Sequence, residues 1–184
     1  VIDSETPILK EEKMDRINSI ELAIKNERSE MEYYNNEANR SKNPVAKKLF
    51  QTLAADEKEH MTRLTNLHQK LTSDGSWPEH VPIEVAGTDI GKVLQNVVND
   101  RGSSTEHDDD DLAALKKGID FENGGSKFYA ELAEACDNPM EKKFFTFLSQ
   151  IEREHMLSIQ DSLFYLEDPE GWMESKGRAG KDGA

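Results

Sequence analysis

Two short motifs in the chain have the composition and the spacing of a site for metal ions. Each motif is Glu-x-x-His, and each follows another glutamate by 30 residues. The six residues are Glu27, Glu57, His60, Glu122, Glu152 and His155. On a helix, residues three apart share a face, so the glutamate and the histidine of one motif can bind the same ion. Four carboxylates balance the charge of two divalent cations, and two neutral imidazoles complete the set of ligands.

The six residues form three equivalent pairs in an internal repeat. When the sequence is shifted by 95 positions, residues 24–61 align with residues 119–156 without a gap. Identical pairs outside the motifs include Tyr34/Tyr129, Ala38/Ala133, Asn43/Asn138, Pro44/Pro139, Phe50/Phe145 and Leu53/Leu148. Two unrelated amphipathic hairpins would share apolar spacing, but they would not share Tyr and Asn-Pro at fixed places. We therefore interpret the chain as two copies of one helical hairpin.

Each copy is predicted to contain two helices that are separated at an Asn-Pro pair. Proline favours the first turn of a helix and disfavours helix in the residue before it. The predicted helices are residues 12–40, 44–71, 109–136 and 139–166. They form a single domain, residues 1–184, with hairpins 12–71 and 109–166, a crossover 72–108 and a tail 167–184. Because the tail is polar and rich in glycine, we expect no fifth helix there.

In each predicted helix, an apolar stripe with helical spacing is interrupted at mid-length by one or two of the six ionisable residues. All six are therefore expected to face one core at one level, as in di-iron carboxylate bundles. The alternative is that these glutamates lie on the surface and that Glu59 and Glu154 face inward instead. That rotation would turn Leu53, Leu64 and Leu148 towards water, so we favour the first assignment.

The length of the crossover predicts how the helices are ordered in space. Antiparallel neighbours need links of only about two to eight residues. Residues 72–108 can return along the whole bundle and contain one short amphipathic segment, residues 89–98. We predict an all-α four-helix bundle in which the second and third helices are parallel. In the rival up-down-up-down bundle, Leu71 would lie near Leu112 instead of near Cys136.

The composition excludes several classes of protein. With a net charge of −14, the chain is not expected to bind nucleic acid, which is bound through Lys and Arg. The single cysteine, Cys136, excludes an internal disulfide and a CxxC metal site. No apolar run approaches the ~20 residues that span a bilayer, and no signal peptide is visible. We expect no membrane partner and a cytoplasmic location, although a first residue other than methionine leaves a removed leader open.

The motifs resemble those of the rubrerythrin-related branch of the ferritin-like di-iron superfamily. An aromatic pair follows the first glutamate of each repeat, in Glu27-x5-Tyr33-Tyr34 and Glu122-x5-Phe128-Tyr129. Each Glu-x-x-His motif follows the spacing Phe-x2-Leu-x3, which begins at Phe50 in one repeat and at Phe145 in the other. The likeness covers both hairpins and is specific at the metal positions.

The resemblance implies a ferritin-like fold with one long crossover and a site for two iron ions, although Mn or Zn would also accept these ligand types. It implies bridging or terminal roles for the four glutamates and one histidine for each metal. Tyr34 and Tyr129 are expected to form hydrogen bonds with ligands, with simple core packing as the alternative. Asp56 is expected to orient His155, as in di-iron oxygenases, but the second repeat has Ile151 at that position.

Three departures from the family pattern bear on the chemistry. The chain lacks the CxxC pairs of a rubredoxin domain, so electrons would come from an external donor. The family's extra metal-binding glutamate corresponds to Gly125, while the equivalent residue of the first repeat is Glu30, a possible extra ligand. Gly124 and Gly125 each cost a helix about 1 kcal/mol relative to Ala. Their presence indicates close helix approach, a local bulge or a channel to the metals.

We therefore predict a non-haem di-iron oxidoreductase, peroxidase-like or ferroxidase-like, that acts on peroxide or dioxygen and forms a homodimer. The alternatives are an iron-oxidising or iron-sequestering protein and a metal-stabilised bundle without enzymatic activity. His68 is expected at the edge of the bundle instead of in a third metal site. We also expect Glu122→Gln to stabilise the metal-free protein, because it removes one of four like charges from the core.

Overall fold

The computed structural model describes residues 7–74, 90–101 and 108–179 and confirms the all-α class within them. The described residues form six helices and no strand. The helices are α1 (Pro7–Arg40), α2 (Pro44–Asp74), α3 (Ile90–Arg101), α4 (Asp109–Ala135), α5 (Pro139–Glu167) and α6 (Pro169–Ala179). Four of them match the predicted bundle helices, and α3 is the short helix predicted within the crossover. None of the described helices is long and apolar enough to cross a bilayer.

Both Asn-Pro pairs separate helices as predicted, because the asparagine side chain caps the helix that follows. Asn43 Oδ1 accepts hydrogen bonds from the backbone N–H groups of Val45 and Ala46, at 2.8 and 3.0 Å. Asn138 caps α5 in the same way. These bonds satisfy N–H groups that have no partner within the first turn of a helix. The Asn-Pro pair therefore ends one helix and begins the next.

The crossover topology is confirmed by which helix ends meet. The last residue of α1, Arg40, contacts Asp108 and Asp111 at the start of α4, with N···O distances of 3.3 and 3.0 Å. Since α1 is antiparallel to α2, α4 runs parallel to α2. Leu71 accordingly packs in the same apolar cluster as Cys136, whereas Leu112 packs in the cluster at the opposite end. The up-down-up-down alternative is wrong.

The core consists of two apolar clusters, one towards each end of the bundle. The first cluster includes Tyr34, Leu49, Phe50, Leu53, Leu115, Ile159 and Leu166, together with residues of α3 and α6. The second includes Ile20, Leu64, Leu67, Leu71, Tyr129, Phe144, Phe145 and Leu148. Leu53, Leu64 and Leu148 are fully buried, while Glu59 and Glu154 are exposed. The rotated alternative for the two Glu-x-x-His helices is therefore wrong.

The expectation that the tail contains no fifth helix is wrong. Residues of the tail form α6, which packs against the end of the bundle through Trp172, buried to 2% exposure. The Trp172 ring contacts the Tyr165 ring at 5.2 Å, and its Nε1 donates to Asp161 at 2.9 Å. Asp168 accepts from the N–H of Gly171 and precedes a proline, as the asparagines do at the other junctions. Burial of one large aromatic side chain offsets the polarity that argued against a helix.

The assignment of the chain to one domain, with the boundaries given above, stays a prediction. Residues 75–89 and 102–107 of the predicted crossover lie outside the described residues.

We expect Arg40→Met to destabilise the protein by about 1–3 kcal/mol, because it leaves the carboxylate of Asp111 buried without its cation. The Asp111 side chain is only 2% exposed. Arg63→Met is the matched control, because Arg63 pairs with the exposed Glu59 on the same helix, and exposed pairs contribute less than about 1 kcal/mol. Urea denaturation measures both values. Equal losses for the two variants would contradict the structural role of Arg40, and adding Asp111→Asn to Arg40→Met should recover part of the loss.

Candidate metal centre

The six ionisable residues singled out by their spacing converge at mid-length in the bundle, between the two apolar clusters. Each of them is at most 2% exposed. Ligand atoms within 4.8 Å of one another form two groups, Glu27–Glu57–His60–Glu152 and Glu57–Glu122–Glu152–His155. The second and fourth bundle helices, α2 and α5, contribute Glu57 and Glu152 to both groups. The arrangement is thus two adjacent four-residue sites that share two carboxylates.

The two histidines present the same nitrogen to the carboxylates. His60 Nδ1 lies 2.9 Å from Glu57 Oε2, 3.2 Å from Glu27 Oε2 and 3.3 Å from Glu152 Oε1. On the other side, His155 Nδ1 lies 3.2 Å from an oxygen of Glu57 and 3.2 Å from an oxygen of Glu122. The two imidazole rings are nearly parallel, with centroids 5.7 Å apart. Each Nδ1 therefore faces the centre of its own group.

Several oxygens of the cluster have no hydrogen-bond donor. Among the described residues, Glu57 Oε1 and both carboxylate oxygens of Glu152 are buried and accept no hydrogen bond, although histidine Nδ1 atoms lie 3.2 Å from Glu57 Oε1 and 3.3 Å from Glu152 Oε1. A buried acceptor left unsatisfied costs about 1–3 kcal/mol, and four carboxylates in one core also repel each other. Divalent cations would satisfy the oxygens and cancel the charge. The donor set of oxygen and imidazole nitrogen fits iron and related divalent metals.

Without a metal, the cluster distributes protons unevenly among its members. Burial raises the pKa of Glu27 to about 7 and, together with repulsion from Glu57 and Glu122, raises the pKa of Glu152 well above its ordinary value. Burial alone would lower the pKa of His60, but nearby carboxylates raise it well above 6.5. Burial opposes ionisation of Glu57 also, yet the two histidines lower its pKa.

Glu30, the possible extra ligand, lies beside the cluster but outside both four-residue groups. Burial, together with repulsion from Glu57 and Glu27, raises the pKa of Glu30 to about 10. The Glu30 carboxyl group therefore interacts electrostatically with the charges of the cluster.

Two tyrosines hold the glutamates that belong to only one group each. Tyr34 Oη donates to Glu122 Oε1 at 2.5 Å, and Tyr129 Oη donates to Glu27 Oε1. In both cases the tyrosine comes from one hairpin and the glutamate from the other. The two rings also stack on core phenylalanines, so hydrogen bonding and core packing occur together. The family resemblance implied that the two tyrosines form hydrogen bonds with ligands, but the sequence carried no signal that each tyrosine contacts the glutamate of the other hairpin.

The predicted contact of Asp56 with the histidine of the facing helix is present. Asp56 Oδ2 lies 3.2 Å from His155 Nε2, the ring nitrogen that points away from the carboxylates. A carboxylate at Nε2 favours a proton on that nitrogen and leaves Nδ1 free to bind a metal. The equivalent residue of the second repeat, Ile151, is apolar and buried.

The adjacent glycines of α4 have different surroundings. An added Cβ at Gly125 would lie 3.3 Å from Cγ and from Oε2 of Glu152, whereas one at Gly124 would meet no atom within 4 Å. Helix α4 is continuous through both residues, so a bulge is wrong and close approach at Gly125 is confirmed. His68, in contrast, pairs with Glu21 on the bundle edge, with an N···O distance of 3.0 Å, and belongs to neither metal group.

In the metal-free protein, we expect stability to fall as the pH rises from about 5 to about 8. The folded protein keeps a proton on Glu27 up to about pH 7, whereas the ordinary pKa is 4.5. His60 and His155 likewise stay protonated above 6.5 when folded. The folded state therefore binds more protons than the unfolded state in this window, and its advantage is lost as the pH rises. The lowered pKa of Glu57 acts in the opposite direction, but below pH 4.5.

Thermal unfolding of chelator-treated protein at several pH values measures this slope. Glu152→Gln should raise the midpoint at pH 8, because Gln removes the carboxylate whose oxygens lack donors. Glu152 is a sharper test than the predicted Glu122→Gln, since Glu122 already accepts a hydrogen bond from Tyr34. The metal-loaded protein should show the opposite trend, because metal binding competes with protons. A midpoint of the metal-free protein that rises with pH would contradict a clustered site.

Comparison with known proteins adds one finding. Residues 18–99 match the family described as Rubrerythrin. The matched segment contains the first hairpin helices from residue 18 onwards and most of the crossover, with Glu27, Glu57 and His60 inside it. It confirms the predicted resemblance for the first hairpin, while the second hairpin, residues 109–166, lies outside the match. No curated protein and no solved structure matches the chain.

Proposed function

Because the chain is rubrerythrin-related over residues 18–99, we propose that it is a non-haem di-iron carboxylate protein with redox activity towards peroxide or oxygen. The observation that carries the proposal is the pair of four-residue groups, which are fully buried and share Glu57 and Glu152. Two separate metal sites would not need to share ligands, whereas a coupled pair of ions does.

The sharing of residues gives each ligand a role. Glu57 and Glu152 would bridge the two ions, since both groups contain them. Glu27 and His60 would complete one position and, in the equivalent way, Glu122 and His155 would complete the other. Glu30 lies outside both groups and would be an extra carboxylate next to the first position.

Bound iron would supply electrons and a binding position for the oxidant. The chain's own residues define the surroundings of that chemistry. The hydroxyl groups of Tyr34 and Tyr129 donate hydrogen bonds to Glu122 and Glu27, respectively. Burial raises the pKa of both hydroxyls well above 10. Each hydroxyl therefore keeps its proton and holds its glutamate in place. The apolar clusters on both sides exclude water from the reacting centre.

Electrons would come from an external donor. The chain has a single cysteine, too few for the CxxC pairs of a rubredoxin-like iron site. We also propose that the protein acts in the cytoplasm as a homodimer, without nucleic-acid or membrane partners. Iron is favoured by the family resemblance, because the donor types alone would also accept Mn or Zn.

Metal analysis of freshly purified protein, followed by peroxide consumption with a reductant, tests the proposal. We expect two iron ions per chain and repeated turnover of peroxide. Iron without turnover would favour iron handling, and zinc without turnover would favour a structural metal. Retention of no metal after supply of Fe(II) would reject the metal centre itself.

The second candidate, iron oxidation for storage or sequestration, gains one observation from the structure. Many storage ferritins use a further C-terminal helix, and α6 provides a short helix after the bundle. Gel filtration distinguishes a closed cage from a dimer, and Fe(II) oxidation without a second substrate measures ferroxidase activity.

A further inference from the structure

The surroundings of the two shared glutamates differ, although the repeat makes their positions equivalent. Glu57 is contacted by both histidines, at 2.9 Å from His60 Nδ1 and 3.2 Å from His155 Nδ1. Of the two histidines, only His60 contacts Glu152, with 3.3 Å between His60 Nδ1 and Glu152 Oε1. Neither oxygen of Glu152 has a hydrogen-bond partner among the described residues, whereas Glu57 lacks one at Oε1 only and has one at Oε2, 2.9 Å from His60 Nδ1. Glu152 is therefore held less firmly than Glu57.

The neighbours of these glutamates on α1 and α4 differ as well. On α1, the residue equivalent in the repeat to Gly125 is Glu30, which carries a long side chain. The equivalent residue beside Glu152 is Gly125, whose backbone approaches the carboxylate so closely that a Cβ would lie 3.3 Å from Oε2. At Gly124, the exposed residue that precedes Gly125, an added Cβ would meet nothing within 4 Å. The α4 side of the cluster thus lacks side chains where the α1 side has one.

We propose that Gly125 gives the carboxylate of Glu152 room to move aside, so that a small anion or peroxide reaches the metal pair from the α4 side. In the first repeat, the residue equivalent to Gly125 is Glu30, whose side chain distinguishes the α1 side of the centre from the α4 side. The two faces of the centre are therefore inequivalent, and Gly125 is a positioning residue for the binding of the oxidant. This inference rests on the proposed metal centre and specifies the side from which its second ligand arrives.

Azide is a suitable probe, because its binding to ferric iron produces an absorption band that can be titrated without turnover. In Gly125→Ala, the new methyl group would lie 3.3 Å from Cγ and Oε2 of Glu152. It fills the space beside Gly125 and keeps the carboxylate from moving towards α4. We expect the affinity for azide to fall by at least about tenfold, which corresponds to ~1.4 kcal/mol. Gly124→Ala is the matched control on the neighbouring residue, and its affinity for azide should stay within about twofold of the wild type.

Iron content separates the possible outcomes. The inference requires that both variants bind as much iron as the wild type and that Gly125→Ala alone binds azide weakly. Unchanged azide affinity in Gly125→Ala, or an equal loss in Gly124→Ala, would overturn it. Loss of iron in Gly125→Ala would also overturn it, because Gly125 would then serve metal binding itself. A wild-type protein that binds no iron would reject the proposed function and this inference together.

Discussion

Replacing Glu57 by Gln is expected to weaken the binding of both metal ions, whereas replacing Glu27 weakens only one. Glu57 belongs to both four-residue groups and Glu27 to one. An amide offers one weak oxygen ligand in place of a charged carboxylate with two. We expect at least about a hundredfold loss of affinity at each position that Glu57 serves, the upper limit of what loss of an outer hydrogen-bond partner causes.

Titration of the metal-free protein with Co(II), a spectroscopic substitute for iron, counts the metal positions that remain. The absorption of bound Co(II) is the signal. Glu59→Gln is the matched control, because Glu59 is two residues away on the same helix and is exposed. Its stoichiometry should remain two per chain. Two tight positions in Glu57→Gln would show that Glu57 does not bridge the ions, and the sharing of ligands would then be wrong.

Removal of the metal ions is expected to lower the stability of the protein by an amount comparable to its whole free energy of unfolding. An ion that binds the folded state only, at a thousand times its dissociation constant, stabilises by about 4 kcal/mol. Two such ions contribute about 8 kcal/mol, against about 5–15 kcal/mol for a typical domain. At about 2–4 °C per kcal/mol for a chain of this length, the midpoint should fall by roughly 15–30 °C.

Thermal unfolding followed by far-ultraviolet circular dichroism, before and after chelation, measures this shift. Addition of Fe(II) or Co(II) to the chelated protein should restore the midpoint. The control is Glu57→Gln, in which chelation should change the midpoint little, because few ions remain to be removed. A wild-type midpoint that does not respond to chelation would contradict metal binding at the cluster, whatever the iron content of the purified sample.

The sequence alone determined the level at which the site is built and the residues that build it. The period of a helix is fixed, so apolar positions at helical spacing identify the face that carries Glu27 or His60. Asn-Pro marks a helix boundary through local backbone chemistry, which Asn43 and Asn138 confirm. The length of the crossover favoured a parallel arrangement of α2 and α4, because a link of that length can return along the whole bundle. The contacts of Arg40 with Asp108 and Asp111 confirmed it.

Only the tertiary structure decided which atoms meet within the site. Helical spacing identifies which face of a helix a residue lies on. Whether a residue on that face reaches one metal position or two depends on shifts of about an ångström between packed helices. The sequence therefore left bridging and terminal roles open, and packing placed Glu57 and Glu152 in both groups. For the same reason, no local pattern indicated that Tyr129 would hold Glu27 from the other hairpin.

The tail shows the same division between local and tertiary determinants. Its local signals were mixed, since Asp168 and Pro169 favour a helix start while the glycines and charges that follow oppose a stable helix. The burial of Trp172 against Tyr165 on the end of the bundle decided in favour of α6. An isolated helix of this length is unstable in water, so its existence depends on a surface that only the folded bundle provides.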